Sequence, residues 1–370
     1  MKIIKFHSEQ ERQKLFSKEL RQNVNAYFKE NNLSTKGNFT MILKTISVYS
    51  LFLLPFFAIL FLNPSFGFSW LLYILIGIGT AGVGMSVMHD ALHNSYSKHK
   101  WVNKVMGWSM YVIGSNVFNW KIQHNIFHHA YTNIDGLDED IRTRGIMRFS
   151  EHTPVEPIHK YQHLYSLPLY SMMTIAMLVG DLPRLIRYYK AGLMKQHLGN
   201  PFKEFSILIG VKVIYLFVFI GLPILNTNLL WHQVLICFVS MHLIAGFIFA
   251  LTFQMAHIVE GVAQPLPDDH QVAENEWAVH QLMTTANFAP NNHLLNWYVG
   301  GLNFQVEHHL FPNICHLHYP AISKIVEATA KKYDVPYLSN PTLFSAVRSH
   351  LRRLKELGSV SINESNTATH

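Results

Sequence analysis

Three short runs hold the histidines whose spacing could do chemistry. They are His89-Asp90-Ala91-Leu92-His93, His124-Asn125-Ile126-Phe127-His128-His129 and Gln305-Val306-Glu307-His308-His309. Histidines at i and i+4 of a helix put two imidazoles on one face, one turn apart, which suits chelation of a metal ion. His89/His93 and His124/His128 have that spacing, and the doublets His128-His129 and His308-His309 add neighbours that reach toward a second ion. A lone pair of this kind more often marks a histidine-rich surface than a ligand set; two pairs and two doublets together point to metal. The His-Glu-x-x-His of zinc proteases is absent. The Glu-x-x-His of soluble di-iron bundles occurs once, at Glu156 to His159, where Pro154 and Pro157 argue against a helix. Imidazole-rich ligation suits iron, copper or zinc. Seven imidazoles fit two ions better than one, and redox-active iron suits the setting, because an iron pair can activate oxygen against an unreactive lipid chain.

The elements that must position these runs are apolar. Of 370 residues, 49% are hydrophobic and 14% charged, with 30 basic against 23 acidic for a net +7. A soluble protein is roughly a quarter charged. Two cysteines exclude a disulfide framework, and the apolar content excludes a disordered or nucleic-acid-binding chain. Uncharged stretches predict transmembrane helices at 45–63, 69–88, 206–225 and 229–251, each roughly 30 Å long at 1.5 Å per residue. Asn63-Pro64-Ser65 and Pro223 with Asn226-Thr227-Asn228 turn them into two hairpins. Lys212, the one formal charge in the second hairpin, is expected to snorkel. The fold class is therefore all-α integral membrane, four helices in two hairpins with a cytosolic helical cap at 89–205 and 252–357, all within one domain.

The hairpin turns carry no Lys or Arg, while Lys98, Lys100, Lys104, Arg184, Arg187, Lys190 and Arg352 lie outside them, which puts both termini and the cap in the cytosol. Val105 to Phe118 and Leu164 to Gly180 are read as interfacial, since one further crossing would part His89 from His257. His257 follows the fourth span as His89 follows the second, and that shared depth makes it a candidate ligand rather than a structural histidine. Residues 1–40 hold no cleavable signal; Ser8 and Glu11 read as a capping box opening an amphipathic cytosolic or membrane-surface helix with Phe16, Leu20, Val24, Tyr27 and Phe28 on one stripe. Helices are expected from Pro320 to Tyr333 and Pro341 to Leu357, and a disordered tail over 358–370. Asp135, Asp138, Glu139 and Asp140 read as a solvated loop, and His232 and His242 as structural.

With HDALH, HNIFHH and QVEHHLFP beside two hairpins, the chain resembles the membrane fatty acid desaturases over nearly its whole length. The glutamine opening the third box resembles the front-end branch, which desaturates between an existing double bond and the carboxyl end. Glu276 to Ala289 and Gly300 to Pro320 resemble the bacterial and cyanobacterial delta-6 acyl-lipid type. The resemblance implies two iron ions held by His89, His93, His124, His128, His129, His257, His308 and His309. It implies that one O2 and two external electrons remove two hydrogens from adjacent methylenes, leaving an alkene and water. Gln305 stands where other members have a histidine ligand, and it would ligate, hold a bridging water or line the site. Where acyl-CoA desaturases have a water-holding asparagine this chain has Phe253, so that role is open or falls to Gln254 or Gln305. Asp90 is expected to orient a ligand imidazole, and Trp120, Phe127, Trp277 and Phe304 are candidates for an acyl tunnel wall.

The His-Pro-Gly-Gly motif of a fused cytochrome domain is absent from the sequence, so electrons are expected from a separate ferredoxin or cytochrome-type carrier. The implied substrate is an acyl-lipid or acyl-CoA, the setting a bacterial cytoplasmic membrane among membrane lipid, with no nucleic acid partner. A sphingolipid desaturase, hydroxylase or acetylenase on the same scaffold is the enzymatic alternative. A metal transporter is the non-enzymatic one, and it would place its ligands inside the spans, where these clusters do not lie.

Overall fold

Among the described residues, sustained apolar runs with few charges form four helices long and apolar enough to cross a membrane: Phe39–Leu62, Phe66–Leu92, Pro201–Asn226 and Trp231–His257. The computed structural model describes residues 4–142, 145–197 and 199–359, and is mostly helical with two short pairs of parallel strands. All but two residues of the tail expected at 358–370 lie outside the described residues. Each apolar helix runs past the stretch that its hydropathy marks, so His89 and His257 sit on the last turns of the second and fourth. The chain divides into two compact units, residues 38–122 with 168–251 and residues 1–37 with 123–167 and 252–370.

In the first of these, Asn63 adopts a left-handed conformation (φ 46°) between the first two helices, a geometry that asparagine tolerates better than most residues. Glycines set the closeness of packing. A Cβ on Gly79 would meet the backbone of Phe52 at 2.7 Å, and one on Gly77 would meet the carbonyl oxygen of Met241 at 2.5 Å. The Tyr73 hydroxyl donates to the Phe219 carbonyl at 2.7 Å. Lys212, expected to reach the interface, has a partner inside its own unit. Its ammonium donates to Asp181 Oδ2 at 2.6 Å and to the Gly114 carbonyl at 2.7 Å, so the buried Asp181 supplies its countercharge. Ser115 and Asn119 also donate to the Asp181 carboxylate. Val105 to Phe118 falls on the short helices Lys100–Gly107, Ser109–Val112 and Val117–Trp120 and the turns between them. Leu164 to Gly180 falls on Pro157–Tyr170 and Met173–Lys190, with a break between them.

The other unit begins with the helix Glu11–Glu30. Its N-cap is Gln10 rather than Ser8, and Ser8 Oγ instead accepts from the Gln10 amide at 3.2 Å. The capping-box expectation fails because the chain enters the helix two residues later. Phe16, Leu20, Val24 and Phe28 are buried together with Ile322, Val326 and Ala330 of the helix Tyr319–Lys332 and with Leu282. The stripe is thus covered by protein and does not lie on a bilayer. Each such side chain contributes about 1.5–3 kcal/mol on burial. Strand Ala286–Phe288 pairs in parallel with Leu338–Asn340, and the last helix, Leu343–Leu357, opens on a capping box of Thr342 and Ser345.

Two measurements follow from buried polar groups. Asp181→Ala should leave Lys212 buried without its countercharge and lower stability by about 3–5 kcal/mol. The double variant Asp181→Leu with Lys212→Met should recover most of that loss in thermal unfolding in detergent; equal losses would show that the pair is not what matters. Burial also pushes His350 down to about 4, its Nδ1 donating to the Ile258 carbonyl. The unfolded chain takes up this proton near pH 6.5 and the folded one not until about 4, so stability must fall as pH drops through that window. The fall in melting temperature from pH 7 to 5 should be shallower in His350→Gln.

Candidate metal centre

The second histidine run does not lie on an ordinary α-helix. Lys121–His128 is a π-helical turn, and the His129 amide donates to the His124 carbonyl five residues back at 3.0 Å. An i→i+5 turn is wider than an α-turn, so both the fourth and fifth residues return beside the first. His124 therefore faces His128 (ring centroids 5.2 Å) and His129 (4.7 Å) together. This explains the doublet, which α-helical spacing alone would have splayed. The helix Gln305–Leu310 brings in His308 and His309, both fully buried.

Six imidazoles meet in this unit. His128, His257 and His309 present nitrogens within 4.8 Å of one another, as do His129, His308 and His309. Their rings lie 4.7 Å apart for His128 and His257, and 4.8 Å for His257 and His309. In the first trio each Nδ1 is engaged by an acceptor. His128 Nδ1 donates to both oxygens of Asp138 at 3.1 Å, His309 Nδ1 to Gln281 Oε1 at 2.9 Å, and His257 Nδ1 to the Thr284 carbonyl at 3.3 Å. Such contacts at Nδ1 orient the rings and leave Nε2 as the nitrogen that a metal would take. His257 Nε2 is buried with no hydrogen-bond partner among the described residues, as a nitrogen awaiting a metal would be. Burial works against the His128 imidazolium, but Asp138 and Asp140 outweigh it and hold its pKa up at about 9, which also makes it a more basic ligand for a cation.

The acidic run departs from the solvated loop expected of it. Asp138 is buried, and it accepts from the amides of Asn133 and Asp140 as well as from His128. Asn133 Nδ2 in turn donates to the His257 carbonyl at 2.9 Å and the Thr284 carbonyl at 3.3 Å, so one turn frames two of the three histidines. Thr132 donates to Gln281, and Gln281 to the His129 carbonyl. Of these, Gln281 and Thr284 lie in the stretch Glu276 to Ala289 that carried part of the resemblance; nothing in their spacing marked them.

Gln305 is buried one turn before His308 and His309, and its Nε2 has no partner among the described residues. Glu307 points into a different network, accepting from Asn287 Nδ2 at 2.8 Å and the Tyr337 hydroxyl at 3.0 Å, and burial raises its pKa to about 7. The Phe253 ring lies 6.5 Å from that of His124, and the buried Oε1 of Gln254 has no partner among the described residues. Phe304 and Trp277 belong to the apolar core packed on the N-terminal helix. His159 is structural: its Nδ1 accepts from the Glu156 amide in a capping box that starts a short 3-10 helix.

In the unit of apolar helices, the second helix changes to a π-helical turn over Val83–Met88 just before His89. His89 and His93 follow with rings 4.7 Å apart, and Trp120 stands edge-on to both at 5.8 and 5.5 Å. Asp90 is buried, and its carbonyl accepts from Ser95 Oγ. His242 hydrogen-bonds with Thr174 and Tyr215, as a structural histidine should.

A family model described as Fatty acid desaturase matches residues 64–341. The sn-1 linoleoyl-lipid 6-desaturase of Synechocystis sp. is 35% identical over 349 residues, covering 94% of this chain and 96% of that protein. The acyl-lipid (8-3)-desaturase of Physcomitrium patens is 35% identical over 92% of this chain and 71% of its own length. The sn-1 linoleoyl-lipid 6-desaturase of Arthrospira platensis is 33% identical over 92% of each. The imidazole donor set, dry and carboxylate-backed, fits a di-iron centre.

His128→Ala should abolish bound iron. Asp138→Asn keeps the shape but removes the charge, and should weaken metal binding by about 10–100-fold in chelator competition. Unchanged iron retention in Asp138→Asn would refute its orienting role.

Proposed function

The chain belongs to the fatty acid desaturase family and is a membrane-embedded fatty acyl desaturase, and we propose that it acts at the delta-6 position of a linoleoyl-type chain carried on a glycerolipid. The glutamine-headed third box and two similar proteins named sn-1 linoleoyl-lipid 6-desaturase support this choice of substrate and position. The observation that supports the metal-dependent reading is the trio His128, His257 and His309, each with its Nδ1 held by an acceptor and one ring nitrogen of each within 4.8 Å of the others.

The proposed ligands of two irons are His89, His93, His124, His128, His129, His257, His308 and His309. When bound, the iron pair supplies the oxidant, made from O2, that an unactivated methylene requires. The chain's own groups do the rest. Asp138, Gln281 and the Thr284 carbonyl hold three imidazoles in one orientation, so the donors need no rearrangement when metal enters. The box histidines are all buried, which keeps bulk water from the reacting carbons. Gln305 is assigned to the site lining, where its amide replaces an imidazole with a weaker donor, and Asp90 is assigned to orienting the first-box histidines. We assign both termini and the histidine boxes to the cytosolic side of a bacterial cytoplasmic membrane, with residues 1–370 acting as one desaturase domain. Electrons come from an external ferredoxin or cytochrome-type carrier, to which the basic surface is complementary.

Expression in a host supplied with linoleic acid should yield a fatty acid with one new double bond nearer the carboxyl end, located by mass spectrometry of derivatised lipids. Unchanged fatty acids from iron-loaded protein with a competent electron donor would refute the assignment. A new bond on the methyl side would refute the front-end part alone.

A further inference from the structure

The last helix, Leu343–Leu357, has two unlike faces. Ala346, Ser349, His350, Leu354 and Leu357 are buried. The opposite stripe, one turn apart, is Phe344, Arg348, Arg352 and Lys355, and Phe344 is 76% exposed. Val347 and Leu351 are half-buried beside it, and with His163 these residues line a groove of about 370 Å³. His163 belongs to Pro157–Tyr170, whose Ile158, Tyr161 and Leu164 are exposed. Together with Met173–Lys190, that segment is apolar enough to enter a membrane.

Water alone is a poor neighbour for this face. Among the described residues, no carboxylate pairs with Arg348 or Lys355, and Arg352 has only Glu260 at 3.8 Å, an exposed pair of little strength. A helix with apolar residues between cations a turn apart is the form that lies at a bilayer surface, its long stems packing on acyl carbon while the charged ends reach phosphate. We propose that this groove binds one anionic phospholipid, its phosphate held by Arg348, Arg352 and Lys355 and its first acyl carbons by Phe344, Val347 and Leu351. The chemistry favours lipid over an acidic protein: the groove offers apolar surface between its cations, whereas a carrier protein would meet a broad charged face. This site is separate from the histidine boxes and takes no part in the reaction.

The full-length protein in neutral detergent would be titrated with dioctanoyl-phosphatidylglycerol or dioctanoyl-phosphatidylcholine and bound lipid counted by native mass spectrometry. The anionic lipid should bind preferentially and resist equimolar inorganic phosphate. A triple variant, Arg348→Gln, Arg352→Gln and Lys355→Gln, should weaken it by at least about tenfold without changing the melting temperature, while Lys14→Gln and Lys18→Gln leave it unchanged. Phe344→Ser should weaken both lipids. Equal binding by wild type and triple variant would overturn the proposal, as would equal affinity for the two lipids. Loss of binding to an acidic ferredoxin in the triple variant, with lipid retention intact, would assign the face to a protein partner and overturn it too.

Discussion

A buried imidazole has two nitrogens, and a metal centre works only if the right one looks inward. In the unit that holds six of the box and isolated histidines, that choice is made by acceptors outside the histidine motifs: a carboxylate for His128, a side-chain amide for His309 and a main-chain carbonyl for His257. Much of the surrounding architecture serves those three acceptors. Asn133 ties the Asp138 turn to the end of the fourth apolar helix, and the short helix Trp277–Met283 carries Gln281 into place. The N-terminal helix packs on that same short helix through Leu282 and Ala278. A ligand geometry is therefore supported by residues more than a hundred positions away in sequence.

The apolar helices were legible because about twenty uncharged residues in succession match the thickness of a hydrocarbon core and suit few other settings. Their ends were not, because the last turns carry polar residues such as His89 and His257 that hydropathy counts against a helix. The histidine boxes were legible as a cluster of possible metal donors, yet the reason His129 can join His124 and His128 was not, since spacing assumes α-geometry and the π-turn departs from it. Asp138 was hidden because an acidic run looks solvated in sequence; only the fold shows that one member turns inward while Asp135 and Asp140 stay partly exposed. Lys212 was hidden for the converse reason. Its partner Asp181 lies on another helix, and no local pattern joins them.

The helical hairpins show how little polarity such a unit tolerates. Gly77 and Gly79 let backbones approach where lipid gives no hydrophobic drive between helices. Lys212, Ser115 and Asn119 all donate to Asp181, which gathers these polar groups into a single cluster instead of four separate sites. The cluster also anchors the turn that leads from Gly114 to Trp120 and so into the second histidine run.

The pairing of the N-terminal helix with Tyr319–Lys332 also bears on how the protein is made. Asn23 meets Thr329 across 306 positions of chain. A ribosome needs roughly 15–60 s to cover that distance at ordinary elongation rates. For that interval the stripe of Phe16, Leu20, Val24 and Phe28 has no protein surface to rest on, while the intervening apolar helices are being delivered to the bilayer. Synthesis thus passes through a long-lived species with a greasy, unpaired amino-terminal helix. Its yield depends on whatever shields that helix until the carboxyl-terminal third emerges.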